Sequence, residues 1–125
     1  MRLKGKRILL VEDAPDIRDA FGLLLRSEGA EVVAAATARE ALASTAKGPF
    51  NVMLTDLGLP DIPGDVLIRQ VLSGATPRPR VVVVTGYGEP DLSRARAAGA
   101  DVVFTKPIEW AVLLRALGPA TPLAA

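Results

Sequence analysis

Short apolar runs alternate with longer amphipathic segments along this 125-residue chain, and that alternation restricts its fold more than any other feature. Each run is brief and rich in Val, Leu or Ala, as is typical of a strand covered on both faces. Strands that alternate with helices pair in parallel through right-handed crossovers and carry helices on both faces. The sequence therefore predicts one α/β domain with strands at residues 7–11, 31–36, 51–56, 80–85 and 101–105.

The segments between the runs carry helix signals. Pro15 fits the first turn of a helix, and Thr37 with Glu40 three residues later forms a capping-box pattern. A third helix is predicted after Gly64, with Val66, Leu67, Val71 and Leu72 facing inward. Two further helices are predicted over residues 90–98 and 108–117. Apolar residues recur at helical spacing in the first helix, for which Gly29 is a good terminator: Ile17, Phe21, Leu24 and Leu25.

Composition excludes several kinds of chemistry. The chain has no cysteine, so disulfides and thiolate metal sites are impossible, and it has no histidine to act as a base, a zinc ligand or a phosphoryl carrier. Its net charge of +1 gives no reason to expect direct nucleic-acid or membrane-surface binding. Without a signal-peptide pattern or a run long enough to span a bilayer, a cytoplasmic location is expected.

Polar residues stand at the carboxyl ends of four predicted strands, where ligands collect in open α/β sheets. Glu12 and Asp13 follow the first strand, Asp56 ends the third, Thr85 ends the fourth, and Lys106 follows the fifth. Each has an ordinary explanation alone, such as capping a helix or turn, or a solvated surface charge. Their joint occurrence at one rim of the sheet favours a functional site.

This set of residues suits phosphoryl transfer. Crowded carboxylates repel one another, and a hard divalent cation such as Mg²⁺ would relieve that repulsion. A carboxylate can itself attack phosphorus and form an acyl phosphate, while a lysine and a hydroxyl neutralise and bind the phosphoryl oxygens. Because the chain lacks histidine, the phosphoryl group would come from another molecule or from another part of a longer protein.

Four motifs resemble response-regulator receiver domains of two-component signalling, over essentially the whole chain. They are Val11-Glu12-Asp13, Leu54-Thr55-Asp56 with the downstream Leu59-Pro60 and Gly64, Val84-Thr85-Gly86, and Thr105-Lys106-Pro107. The resemblance implies a flavodoxin-like, doubly wound (βα)5 fold with strand order 2-1-3-4-5. Three segments also resemble receivers attached to hybrid histidine kinases: residues 5–13, Leu57-Gly58-Leu59-Pro60 and Thr85-Gly86-Tyr87-Gly88.

The resemblance also assigns roles to residues. Asp56 is the phospho-acceptor, Thr85 the switch hydroxyl and Lys106 the partner of the phosphoryl oxygens. Glu12, Asp13, Asp56 and the backbone carbonyl of Gly58 are the expected ligands of Mg²⁺, for which Mn²⁺ can substitute. The donor is a histidine kinase or a histidine phosphotransfer protein. The domain is not an enzyme toward other molecules, since it catalyses only its own phosphorylation and dephosphorylation, and the Lys106–Pro107 bond is expected to be cis.

Phosphorylation in this family changes the surface formed by helix four, strand five and helix five, and here the sequence departs from the pattern. Receivers usually carry Tyr or Phe three residues before the lysine, but this chain has Val103. Phe104 is one place later and by strand alternation should face the opposite way. Gly58 and Tyr87 fall where family side chains tune the access of water to the phosphoryl group.

The expected organisation is a single receiver domain over residues 1–120 followed by a tail or truncated linker at 121–125. A stand-alone regulator and a piece of a hybrid kinase both fit. No DNA-binding helix-turn-helix is present, so transcriptional output would lie outside these residues. The sequence leaves dimerisation open.

Three other classes of protein share part of this pattern. A haloacid-dehalogenase-type phosphatase needs a second Asp two residues after the first, where this chain has Gly58. A flavin or nucleotide binder shares the topology, but Gly86-Tyr87-Gly88 lacks the third glycine of a dinucleotide fingerprint and follows the fourth strand. A pseudo-receiver that signals by binding alone is the remaining alternative, although every chemical residue is present.

Overall fold

A computed structural model describes residues 2–74 and 77–118 of the protein, which form a five-stranded parallel sheet flanked by helices. The strands are Arg7–Val11 (β1), Glu31–Ala35 (β2), Val52–Thr55 (β3), Arg80–Thr85 (β4) and Val102–Thr105 (β5). The helices are Pro15–Ser27 (α1), Ala38–Thr45 (α2), Gly64–Gly74 (α3), Asp91–Ala98 (α4) and Trp110–Leu117 (α5).

The strand order is β2-β1-β3-β4-β5, and every pairing is parallel. This confirms the predicted α/β class and the flavodoxin-like, doubly wound order. The chain starts in the second position of the sheet and reverses direction between β2 and β3. Such a reversal leaves a crevice at the carboxyl ends of β1 and β3.

Two apolar layers cover the sheet because successive side chains of a strand point to opposite faces. One layer packs against α2, α3 and α4, and its strand residues include Leu9, Met53, Val81 and Val83. The other packs against α1 and α5, and its strand residues include Ile8, Leu10, Val82 and Val84. Continuous apolar strands are therefore needed, since neither face is solvated.

Helix α1 contacts the sheet along a narrower stripe than its apolar spacing predicts. Leu25 is buried and Phe21 is partly buried against the second layer, whereas Ile17 and Leu24 are each 38% exposed. Those two residues are seven apart, or about two helical turns, so they lie on one side of the helix at the edge of the buried stripe. The buried stripe of α1 is therefore narrower than the full set of its apolar positions.

The amino end of α2 carries the predicted capping box. The Thr37 hydroxyl accepts a hydrogen bond from the Glu40 amide at 3.1 Å, and the Glu40 carboxylate accepts one from the Ala36 amide at 3.1 Å. The hydrogen bond to the Glu40 carboxylate therefore comes from Ala36, one residue before the capping residue Thr37. Two orphan amides at the start of the helix are thereby satisfied by local residues.

Other boundaries differ from the predictions by one or two residues. The second strand ends at Ala35, the fourth helix begins at Asp91, and the fifth begins at Trp110 rather than at Ile108. Glu109 has extended backbone angles, which delays the start of α5. The Lys106–Pro107 bond is cis, as expected, and so is Glu89–Pro90. The proposed domain end at residue 120 and the tail 121–125 lie outside the described residues.

A search for membrane-spanning helices finds none that is long and apolar enough within the described part of the chain.

Candidate functional site

The polar residues at the strand ends meet at one edge of the sheet. Short backbone bonds continue the strand pairing past their last residues: Glu12 N donates to Ala35 O at 3.0 Å, and Lys106 N donates to Thr85 O at 2.8 Å. Likewise Asp56 N donates to Val11 O at 3.2 Å. These bonds fix where each functional side chain leaves the backbone.

Lys106 joins three strands through its ammonium group. Its Nζ donates to Asp56 Oδ2 at 2.9 Å and to Glu12 Oε1 at 3.3 Å. Asp56 and Glu12 are 50 and 94 positions from the lysine in sequence. They follow β3 and β1, and Lys106 follows β5. The predicted convergence of Glu12, Asp56 and Lys106 is therefore present.

The Asp56 carboxylate is held by hydrogen bonds but remains accessible to solvent. Its Oδ1 accepts the amides of Leu57 at 2.6 Å and Gly58 at 3.3 Å, while Oδ2 accepts from Lys106, and the side chain keeps 14% of its surface exposed. Burial by itself raises the pKa of Asp56, but the Lys106 ammonium, the nearby Thr85 hydroxyl and the Gly58 amide outweigh it and lower that pKa. The group is therefore an anion at neutral pH.

Glu12 is more deeply buried than Asp56. Its Oε2 accepts the Ala14 amide at 3.1 Å, and only 5% of its side chain is exposed. Burial raises the pKa of Glu12, and the nearby Asp13 and Asp56 raise it further, against the opposing effects of the Ala14 amide and Lys106. Burial is the main cause of the raised pKa, and the two neighbouring acids add to it.

The Lys106 ammonium responds to the same neighbours. Burial alone would lower the pKa of Lys106, but Asp56 and Glu12 raise it above its ordinary value. Lys106 is accordingly a fixed positive charge between two carboxylates, well placed to bind anionic oxygens near Asp56.

The set of donors fits a divalent cation. Asp13 is exposed beside Glu12, so three carboxylates surround this edge and Lys106 supplies one positive charge. A search for clusters of three or more acidic, histidine or cysteine side chains that could enclose a metal finds none in the described residues. Mg²⁺ does not need such a cluster, since it usually takes one or two carboxylates, with waters completing its octahedron.

Thr85 lies fully buried at the end of β4. Its hydroxyl oxygen accepts the Tyr87 amide at 3.2 Å. The hydroxyl is near enough to Asp56 to lower the pKa of that carboxyl, although the two side chains are not within direct hydrogen-bond geometry. A small approach of either group would allow the Thr85 hydroxyl to donate to oxygens at Asp56.

Tyr87 lies over Gly58. A Cβ added to Gly58 would come within 2.6 Å of the Tyr87 hydroxyl oxygen and 3.0 Å of its ring carbon Cζ. The missing side chain at residue 58 therefore makes the space that the phenol occupies. Tyr87 remains half exposed, at 50%, so it covers this edge without being locked in a core.

The two residues at the unusual positions of β5 separate as strand alternation predicts. Val103 packs against the layer of α2, α3 and α4, whereas Phe104 packs against the layer of α1 and α5. Phe104 therefore cannot occupy the space on the face that Val103 occupies.

Two residues near the site were missed in the sequence. Arg18 Nη1 donates to the backbone carbonyl oxygens of Glu12 at 2.9 Å and Asp13 at 3.4 Å, and so holds the turn that carries both acids. The Asp61 carboxylate accepts hydrogen bonds from two backbone amides of α2. Arginine at the first turn of a helix and aspartate in a loop are too common to be singled out from sequence.

A cavity of about 370 Å³ lies at the opposite end of the strands. Its lining includes the buried side chains of Leu9, Phe50, Met53 and Val71 and the exposed Lys47. None of the predicted site residues lines this cavity.

Comparison with known proteins agrees with this geometry. Residues 8–118 match the family described as the response regulator receiver domain. The chain is 33% identical over 108 residues to the response regulator protein PilR of Pseudomonas aeruginosa. The matched region covers 86% of this chain and 24% of PilR. The chain thus spans about a quarter of the length of this relative.

Solved structures show the same architecture. A receiver domain protein, described as CheY-like, from Methanospirillum hungatei is 37% identical, covers 88% of each chain and superposes with a TM-score of 0.83. The receiver domain of the sensor histidine kinase PA1611 from Pseudomonas aeruginosa is 29% identical, covers 90% of this chain and 94% of that one, and gives a TM-score of 0.82. That structure is described with a magnesium ion coordinated in the active-site cleft.

Proposed function

Because the chain belongs to the response regulator receiver domain family, we propose that it accepts a phosphoryl group from a phosphohistidine donor onto the Asp56 carboxylate. The observation that carries the proposal is Lys106, which follows β5 and whose ammonium contacts both Asp56 and Glu12. A structural surface lysine would have no reason to sit between two partly buried acids.

The side chains support an in-line transfer. The Asp56 oxygen attacks phosphorus, the new O–P bond forms as the P–N bond to the donor imidazole breaks, and the imidazole nitrogen leaves with the electron pair. Such a reaction needs mainly positioning and neutralisation of charge. Lys106 binds a phosphoryl oxygen, the Thr85 hydroxyl donates to another, and the Leu57 and Gly58 amides hold the attacking carboxylate.

Glu12, Asp13, Asp56 and the Gly58 carbonyl are the groups we propose as Mg²⁺ ligands, with Mn²⁺ as a substitute. The cation, when bound, supplies positive charge that lowers the repulsion between the carboxylate and the incoming phosphoryl oxygens. The closeness of Glu12 to Asp56, which share the Lys106 ammonium, and the exposed position of Asp13 support this assignment. Arg18 holds the turn that carries the two acids, by hydrogen bonds to their backbone carbonyl oxygens.

Phosphorylation adds about −1.5 to −2 charges at Asp56 and new acceptor oxygens. We propose that Thr85 moves toward them and that the surface of α4, β5 and α5 follows. Couplings of this kind are typically about 1–3 kcal/mol. Val103 leaves the switch without the usual inward aromatic ring, so the response of this surface should depend on Thr85 and the β4–α4 loop.

The partner that donates the phosphoryl group is proposed to be a histidine kinase or a histidine phosphotransfer protein in the cytoplasm. Residues 1–120 would be one receiver unit, either stand-alone or within a hybrid kinase. The domain from PA1611, which belongs to a sensor histidine kinase, shows that a receiver of similar structure occurs in that context. Catalysis would be limited to phosphorylation and dephosphorylation of Asp56 itself. The proposal leaves open whether the domain forms dimers. It includes no direct contact with nucleic acid.

Phosphoramidate, a small donor with a P–N bond, tests the proposed function. Intact mass spectrometry should show gain of one phosphoryl group in the presence of Mg²⁺ and no gain when EDTA removes the metal. The reason is that Lys106 alone cannot offset three carboxylates and an incoming phosphoryl group. A folded chain that gains nothing with Mg²⁺ would instead favour the pseudo-receiver, which signals by binding alone.

Tyr87 is expected to slow loss of the phosphoryl group. Its phenol covers Gly58, two residues from Asp56, and limits the approach of water. Replacing Tyr87 with Ala should therefore shorten the half-life of the phosphorylated chain several-fold, measured as decay of the phosphorylated mass after the donor is removed. Tyr87→Phe retains the ring and should decay at nearly the native rate; equal decay of all three chains would show that the ring shields nothing.

A further inference from the structure

The loop that presents the Gly58 carbonyl is tied to a helix that carries no site residue. We propose that Asp61 is a positioning residue for the cation site, because it anchors this loop, residues 57–63, to the amino end of α2. The inference rests on the proposed function, in which the Gly58 carbonyl is a ligand of Mg²⁺.

Asp61 binds α2 with both oxygens of its carboxylate. Oδ1 accepts the Ala38 amide and Oδ2 accepts the Arg39 amide, each at 2.9 Å, across more than twenty residues of sequence. These are the first two amides of the helix, which have no partner within the helix itself. A carboxylate at this end of a helix also interacts favourably with the helix dipole.

The rest of the loop is anchored unevenly. At its end near α3, the Gly64 amide donates to the Leu57 carbonyl at 3.0 Å. Leu59 and Ile62 are partly buried against the apolar layer. Between residues 59 and 62, the only hydrogen bonds that the described chain makes from this loop to another element are the two at Asp61. Without them, the segment after Gly58 would be held by side-chain packing alone.

The position of a backbone ligand depends on such support. A carbonyl can coordinate a cation only when the peptide is held at the required angle, and Mg²⁺ demands near-ideal octahedral geometry. Groups that orient a metal ligand typically change metal affinity by about 10–100-fold when removed. Asp61 acts on Gly58 through two intervening residues, so the low end of that range is expected.

Helix α2 supplies a matched control. Thr37 caps the same helix from within, by accepting the Glu40 amide. Thr37→Ala therefore weakens the start of α2 without touching the loop, whereas Asp61→Ala weakens both. Asp65, on the first turn of α3, provides a control for charge, since it is paired with Arg69 and has no hydrogen bond to α2.

The test is calorimetric titration of Mg²⁺ into the whole chain and its three variants, at low and at high salt. Asp61→Ala should weaken Mg²⁺ binding about tenfold. Thr37→Ala and Asp65→Asn should stay within about twofold of the native affinity. A purely electrostatic effect of losing Asp61 would shrink at high salt because salt screens exposed charges, whereas the positional effect should persist.

Hydrogen exchange gives a second readout that a merely structural cap would not produce. Coupling between two sites is reciprocal, so Mg²⁺ should increase the protection of the Ala38 and Arg39 amides in the native chain. That increase should disappear in Asp61→Ala and persist at the same two amides in Thr37→Ala, because Thr37 does not bind them.

Equal Mg²⁺ affinity in the native chain and Asp61→Ala would overturn the inference while leaving the proposed function intact. Equal weakening by Thr37→Ala would overturn it as well, since α2 stability would then explain the result. A native chain that binds no Mg²⁺ would overturn the proposed cation site, and the inference with it.

Discussion

An Asp56→Asn chain is expected to gain no phosphoryl group from phosphoramidate under conditions in which the native chain gains one. The amide oxygen of asparagine carries no charge and is a poor nucleophile toward phosphorus. The substitution keeps the shape of the side chain, and its oxygen can still accept the Leu57 and Gly58 amides. Loss of labelling, read from the intact mass, should therefore be complete, while thermal unfolding changes little.

Asp65→Asn is the matched control for this prediction. Asp65 is an acid that lies near the same edge, lining a small cavity with Leu57 and Tyr87, but it has no contact with Lys106. That variant should label as the native chain does. Labelling that survives in Asp56→Asn would place the acceptor on another residue and contradict the assignment.

The second large effect is expected at Gly64, the first residue of α3. A Cβ added there would lie 2.5 Å from Leu57 Cα and 2.9 Å from the Asp56 carbonyl oxygen. Both neighbours are backbone atoms that no rotamer change can move. Gly64→Ala should therefore lower the free energy of unfolding by about 1–3 kcal/mol, measured by urea denaturation.

The same substitution should also impair the site, because the backbone that must yield carries Asp56 and Leu57. Initial labelling rates with phosphoramidate should fall in protein that is still folded. Separate measurements of stability and labelling distinguish this displacement from simple unfolding.

Gly22→Ala is the control for adding a methyl group to a buried helical glycine. The nearest atom to the new Cβ is the tip of the Arg26 side chain at 3.0 Å, which can turn away. Alanine is a better helix former than glycine by about 0.5–1 kcal/mol, so this variant should be slightly more stable than the native chain. If Gly64→Ala behaved like Gly22→Ala, the close approach of α3 to the acceptor loop would be refuted.

Local patterns were enough to predict the elements. Continuous apolar runs such as 81–84 could only be strands buried on both faces, and the structure confirms that these four valines are at most 3% exposed. The capping box at Thr37 and Glu40 was predictable because its donors and acceptors lie within five residues of one another. Alternation also placed Val103 and Phe104 on opposite faces correctly.

Helix α1 shows where local patterns fail. The spacing of Ile17 and Leu24 is helical, and the helix forms, but how wide a stripe is buried depends on how the helix sits on its neighbours. That placement is a property of two packed surfaces, which periodicity in one segment cannot provide. The start of α5 also differs from the pattern, because the backbone at Glu109 is still extended.

The sequence alone determined that acidic, hydroxyl and lysine side chains would stand at one edge of a parallel sheet, because strand direction and the position of a residue along its strand are local properties. Tertiary structure decided which of them touch. Lys106 bridges Asp56 and Glu12, Tyr87 fills the space above Gly58, and Asp61 caps a helix 23 residues earlier. Such contacts join residues far apart in the chain, so they depend on how complete elements pack, and no spacing between neighbouring residues encodes them.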